Sequence, residues 1–421
     1  MSSFPVSENV AAMQSSSTLK AALAATRLRE QGVDVIDLTV GEPDFDTPEF
    51  VKDYAIEGLR QGLTKYTPVA GLKLFRESIA AFYGERFGAD IDARQITAAC
   101  GGKQGLFNAA CTILNPGDEL LIPKPYWVTF PEIGTFCRAK NVFIETEETD
   151  FVLTAEQVKR AITEKTKLLI INSPNNPTGR VVPPAEMRRI VEACAEREVY
   201  VLTDECYLFF AYPPAEVFTS ASLPADLREF VCVGGSFSKT YAMTGWRIGY
   251  TIANEKWTAA ITKLQSHSAT HPTSFVQYAC AKALQDHEDS IDAVNTMLEE
   301  YERRRRWLIP ALNEVKGFGC EQPDGAFYAF VDVRDLFDDR TKTSNDVADR
   351  LLDEAHTVVT DGAGFGAEGF IRISYATSME NLKNAVEQMK NLFGEKEQTR
   401  AGGNDGSNRL AELGDLARNA G

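Results

Sequence analysis

The sequence predicts an α/β protein, with a large domain built on a mainly parallel sheet followed by a smaller α+β domain. Short runs that are apolar throughout, such as KLLII, VYVLT and FVCVG, read as strands buried on both faces. Turns rich in Gly, Pro, Asn or Ser and then longer amphipathic stretches follow them, as in KLLIINSPNNPTG, EMRRIVEACAERE and VYVLTDECY. Strands that alternate with helices in this way imply crossover connections and a parallel sheet. At 421 residues the chain is also too long for one small core and suggests two lobes.

Taken in order, residues 1–44 read as an N-terminal arm that joins part of the small domain, and 45–290 as the large domain. The stretch HEDSIDAVNTMLEEYERRRRWLIPALNEV then predicts a long helix that Pro310 should break or kink. Its basic run, Arg303 to Arg306, lies beside Glu299, Glu300 and Glu302 and reads as a solvated helix face. Strand-like GAFYAFVDV and GFIRISYA alternate with helix-like SNDVADRLLDEA and SMENLKNAVEQMKNLF, which gives a small α+β domain over 291–394. Residues 395–421 are polar and Gly-rich and are expected to be a disordered tail, with RLAELGDLARNA hinting at a short helix.

Composition excludes several classes of function. A net charge of −16 opposes non-specific binding to nucleic acid or to anionic membranes, which both need a positive field. No apolar run approaches the length that spans a bilayer, and MSSFPVSENVAAM has neither the basic nor the apolar part of a signal peptide. The eight cysteines are scattered singly without a CxxC pair, which fits buried, reduced thiols in a cytoplasmic protein. Only four histidines occur, with His267 and His271 in a loop-like stretch, so no metal site is expected.

Ligands of parallel α/β sheets bind at the carboxyl ends of the strands. Three successive predicted strands end in unusual polar groups: KLLII runs toward Asn176, VYVLT into Asp204, Cys206 and Tyr207, and FVCVG into Ser236, Ser238 and Lys239. Right-handed crossovers would gather these ends on one rim. CGGKQGLFNAACTIL adds two glycines that lead into a helix, whose first N–H groups can meet an anion. With Ser236, Ser238 and Arg247 as further donors, the set suggests a phosphate clamp beside a lysine and an acid. That combination points to pyridoxal phosphate, whose aldehyde condenses with lysine. The segment GAGFGA, from Gly362 to Ala367, fits a dinucleotide pattern but joins two strand-like runs, and therefore reads as a turn.

The motifs GEPDFDTP (41–48), KYTPVAG (65–71), GGKQGLFN (101–108), NSPNNPTG (172–179), DECY (204–207), SFSKTYAMTGWRIGY (236–250) and IRISYA (371–376) resemble, in this order, those of the class I aminotransferases. Within that family the sequence is most similar to bacterial aspartate aminotransferases of the prephenate-using subgroup. The resemblance implies the fold-type-I pyridoxal-phosphate architecture and a homodimer. It makes Lys239 the lysine bonded to the cofactor and the base that moves the substrate's α-proton. Asp204 would keep the pyridine nitrogen protonated, Asn176 and Tyr207 would bond the phenolic oxygen, and Trp127 would stack on the ring. The phosphate would be held by the backbone of Gly102, Lys103 and Gln104, by Ser236, Ser238 and Arg247, and by Tyr66 from a neighbouring subunit. For the substrate, Arg372 and the Gly41 backbone would take the α-carboxylate, Trp127 and Asn176 would line its site, Lys103 would meet a distal carboxylate, and Thr18 matches a threonine linked to prephenate use.

The implied reaction is ping-pong amino transfer between aspartate/oxaloacetate and glutamate/2-oxoglutarate, with prephenate as a further acceptor. One departure concerns the turn DGAGFG, where Asp361 stands in place of the family's proline. An aromatic or branched-chain aminotransferase, a C–S β-lyase acting on sulfur amino acids, and a cofactor-binding regulator are the competing readings. Lys103 disfavours the lyase, and the acidic chain without an N-terminal helix-turn-helix disfavours the regulator.

Overall fold

The computed structural model describes residues 4–14, 25–26, 28–30 and 32–396. Thr18 and nearly all of the tail therefore lie outside the described residues. The main sheet has seven strands in the order Ile96–Ala99, Gly249–Ile252, Val231–Ser236, Tyr200–Asp204, Thr166–Asn172, Glu119–Lys124 and Lys140–Glu145. Gly249–Ile252 runs antiparallel to both its neighbours, and every other pairing is parallel. The apolar runs behave as their composition dictates. Every residue of Val231–Ser236 is buried, and only Lys167 of Thr166–Asn172 is exposed, because helices cover both faces of the sheet.

A second, four-stranded antiparallel sheet has the order Thr360–Asp361, Phe370–Ser374, Tyr328–Asp332, Gly319–Cys320. Ile371 and Ile373 point into the hydrophobic cluster beneath this sheet, so strand alternation turns Arg372 to the opposite face. The N-terminal segment joins the same part of the molecule, where Ile36–Asp37 pairs in parallel with Thr357–Val358. Beyond it, GEPDFDTP is tied to the large sheet's loops: Thr47 donates to the Ala242 carbonyl at 2.7 Å, and Thr244 donates to Glu42 at 2.5 Å.

Two sequence expectations about the long helix need correction. Pro310 does not break it: the helix runs from His287 to Asn313, and the proline falls in the final turn, where a missing N–H deprives only one late carbonyl of its partner. The arginine run is not a uniformly solvated face either. Arg303 and Arg306 are exposed, but Arg304 and Arg305 are buried. Arg304 is bonded to Asp44 and Glu300, both at 2.8 Å, while Arg305 donates to the Pro323 carbonyl at 2.5 Å and lies over Tyr212. Four consecutive residues span more than one turn, so one like-charged run cannot keep to a single helix face.

Arg304→Ala should destabilise the protein by about 2–3 kcal/mol, because it deletes a buried side chain that bonds Asp44, Glu300 and the buried Tyr375 carbonyl and packs on Phe45 and Tyr301. Arg306→Ala should stay within about 0.5 kcal/mol. Denaturant midpoints of the two variants check this, and equal midpoints would contradict it.

Candidate active site

Side-by-side parallel strands deliver the expected residues to one rim. Asn172 pairs in register with Asp204, and Asp204 with Gly234, two residues before Ser236. A cleft of about 310 Å³ opens there, and its lining includes Gly41, Gly102, Lys103, Trp127, Asn176, Asp204, Tyr207, Ser236, Ser238, Lys239, Arg247 and Arg372. Gln104 follows Gly102 and Lys103 on the helix Gly102–Cys111, but its side chain turns away to accept the Cys100 N–H at 2.6 Å. Tyr66 is not brought into the cleft of its own chain: it is 92% exposed, with its ring edge-on to His271.

At one end of the cleft, the backbone forms a cradle. The helix Gly102–Cys111 starts from Gly101, whose φ of +84° suits glycine. A side chain at Gly101 would strike the Arg247 guanidinium, and one at Gly249 would come within 2.6 Å of the Gly102 nitrogen. The first N–H groups of this helix have no carbonyl of their own to bond. Ser236, Ser238 and Arg247 line the same end, so the donor set suits a phosphate.

Further in, Asp204 is 6% exposed and accepts the Cys206 N–H at 3.1 Å. Burial pushes its carboxyl up to about 7, with the Cys206 N–H opposing, the Glu205 charge assisting and the Lys239 charge opposing. Burial depresses the Lys239 ammonium from its usual range, which favours the neutral amine that can attack or take a proton. Tyr207 bonds the Tyr328 hydroxyl at 2.7 Å and stays a protonated phenol, because burial raises it well above its ordinary value. Asn176 accepts from Arg372 at 2.9 Å, so what it can still offer the cleft is its N–H₂ donor.

Arg372 is 2% exposed. It donates to Asn176, to the Thr39 carbonyl at 2.7 Å and to the Thr360 hydroxyl at 3.3 Å, and lies between the rings of Tyr328 and Phe365. Among the described residues its Nε is buried without a partner, and none of the groups that hold it is a carboxylate. Lys103 sets a second cation on the cleft, with its ammonium 4.8 Å from the Trp127 ring centroid. Desolvation, Arg247 and Lys239 together lower that ammonium.

Sequence reasoning missed Tyr328, Thr39 and Asn172. Asn172 holds the rim, donating to the Asp204 carbonyl and accepting from the Asn176 N–H. Tyr328 is opposite Ser374, one diagonal step from Arg372 on the same face of the small sheet. Strand pairing across 46 positions creates that neighbourhood, and the run GAFYAFVDV carries no local sign of it. The Thr39 contribution is a backbone carbonyl, which no side-chain pattern reports.

The residues present fit pyridoxal phosphate: an anion cradle, a buried acid for a ring nitrogen, hydroxyl and amide donors, and a buried-edge amine. Comparisons with known proteins agree. The family model for aminotransferase class I and II matches residues 33–389. A probable aspartate/prephenate aminotransferase of Aquifex aeolicus is 39% identical over 93% of this chain and 99% of that protein. The solved aspartate aminotransferase of Thermus thermophilus with maleate superimposes with a TM-score of 0.88 at 39% identity, covering 93% of this chain and 100% of the other. The aromatic aminotransferase of Pyrococcus horikoshii gives 0.81 at 40% identity, over 87% and 98%.

The raised Asp204 carboxyl has a consequence for the cofactor-free protein. The folded chain keeps a proton that the unfolded chain releases near 3.8, so stability from this group is present at low pH and is lost as pH rises toward about 7. Asp204→Asn lacks this loss. Its melting temperature should therefore gain on wild type between pH 5 and pH 7, as calorimetry would record, and a constant difference would contradict the buried proton.

Proposed function

Because the chain belongs to the class I and II aminotransferases, we propose that it moves amino groups between aspartate/oxaloacetate and glutamate/2-oxoglutarate, with prephenate as a further acceptor, as a cytoplasmic homodimer. The observation that carries the dicarboxylate assignment is the buried Arg372, held without a counter-carboxylate, on the same cleft as Lys103. The names of the Aquifex and Thermus relatives support it.

Pyridoxal phosphate, when bound, supplies an aldehyde that takes up the amino group and a ring that withdraws the electrons left on the substrate's α-carbon. In this reading the backbone of Gly102, Lys103 and Gln104, with Ser236, Ser238 and Arg247, holds the phosphate, and Tyr66 of a second copy completes that end. Asp204 holds the proton of the ring nitrogen, whose positive charge would draw the carboxyl back into its ionised state. Asn176 and Tyr207 donate to the phenolic oxygen, and Trp127 lies against the ring. Lys239 would serve as the free amine that takes the α-proton of the substrate and holds it for return. Arg372 presents a planar fork to the α-carboxylate beside the Gly41 backbone, a match that lysine could not make. Lys103 meets the distal carboxylate. The first oxo acid leaves before the second enters.

The sequence-defined unit 291–394, together with the 1–44 arm, carries Arg372 toward the unit 45–290 that carries Lys239. The DGAGFG turn is part of this approach. Asp361 accepts from the Ser344 hydroxyl at 2.6 Å, and the Phe365 carbonyl accepts the Tyr126 N–H at 3.1 Å, next to Trp127.

Lys239→Ala should lower turnover by about 10⁴-fold or more. Steady-state assay of the loaded variant checks this, and substantial remaining activity would remove Lys239 from its role. Lys103→Met should reduce kcat/KM for aspartate by about tenfold or more while leaving phenylalanine within about threefold, since only the dicarboxylate loses a charged partner. If phenylalanine outperforms aspartate in the unmodified enzyme, the aromatic reading replaces this one.

A further inference from the structure

None of the eight cysteines is paired in the sequence pattern, yet the fold brings two of them together. Cys111 is the last residue of the helix Gly102–Cys111, and Cys137 directly follows the helix Thr129–Phe136. Their sulfurs are 3.4 Å apart. The two helices are held at this point by the rings of Phe107 and Phe136, whose centroids are 4.9 Å apart. Both cysteines are partly exposed, and neither lines the cleft. Bond formation needs the sulfurs to close by about 1.4 Å, within reach of side-chain rotation.

We propose that Cys111 and Cys137 form a redox modification site, which a hydroperoxide converts into an intramolecular disulfide and a small thiol reverses. The Cys137 thiolate attacks a peroxide oxygen, the O–O bond breaks, and the sulfur becomes a sulfenic acid while the departing hydroxide takes up a proton as water. The Cys111 sulfur then attacks the Cys137 sulfur, the S–O bond breaks, and a second water leaves with the Cys111 proton. Two thiols thus give two electrons to one hydrogen peroxide, yielding one disulfide and two waters.

The order of attack follows from the hydrogen bond that the two sulfurs share. Either thiol can donate across this contact, and the shared hydrogen bond lowers Cys137 and raises Cys111, so Cys137 is the better thiolate and Cys111 the resolving partner. The other six thiols are biased against attack. Burial raises Cys100 and Cys280, pushes Cys194, Cys206 and Cys320 up to about 12, and raises Cys232 likewise. Cys206 in addition faces the cofactor cleft.

The test uses the reduced, cofactor-loaded enzyme treated with a few equivalents of hydrogen peroxide, then alkylated after denaturation and mapped by peptide mass. The expected product is a Cys111–Cys137 cross-linked peptide that has lost two hydrogens and is restored by dithiothreitol. Cys111→Ser should leave Cys137 as a sulfenic acid that a dimedone-type probe captures, and Cys137→Ser should slow thiol loss by about tenfold or more. Oxidation of Cys100 or Cys206 ahead of this pair in the unmodified enzyme would overturn the proposal. So would a folded Cys111→Ser variant whose Cys137 stays reduced.

Discussion

A guanidinium buried without a counter-charge among the described residues is the constraint around which this molecule is organised. Burying a cation costs several kcal/mol unless hydrogen bonds or a partner charge offset it. Arg372 receives partial compensation from an amide oxygen, a backbone carbonyl, a hydroxyl and two aromatic faces. Those groups come from the large sheet's rim, the N-terminal segment, the small sheet and the DGAGFG turn. The arginine thus holds four separate stretches of chain in register, and under the proposed function its charge is what an anionic ligand would meet.

The large sheet makes the complementary half. Three adjacent parallel strands stop at the same level and hand over to Asn172 and Asn176, to Asp204 and Tyr207, and to Ser236 and Lys239. Burial shapes the groups on this rim: it raises the Asp204 carboxyl, keeps the Tyr207 phenol protonated and lowers the Lys239 ammonium. GEPDFDTP runs between the halves, touching Ala242 and Thr244 just past Lys239 on one side and Arg304 of the long helix on the other.

Much of this was legible in the sequence because its signals are local. Fully apolar runs stay strands wherever they are placed, and a polar residue at the end of such a run must face the rim. Glycines before the helix Gly102–Cys111 announce a close backbone approach for the same reason. The failures were of another kind. Arg304 and Arg305 look solvated until Asp44 and Tyr212 arrive from far along the chain, and Tyr328 gains its place only through strand pairing. Cys111 and Cys137, read as isolated thiols, meet because two helices pack through Phe107 and Phe136. Pro310 did not end its helix because so little of the helix remains beyond it.

The most direct measurement is equilibrium binding of succinate and of butyrate to the cofactor-loaded enzyme by calorimetry. The two ligands share a carboxylate and chain length and differ in the second charge. A cleft that engages one carboxylate at Arg372 and the other at Lys103 predicts succinate binding about tenfold tighter or more, the equivalent of one further charged hydrogen bond. Equal affinities would contradict the two-cation cleft and leave Lys103 as a surface lysine over Trp127.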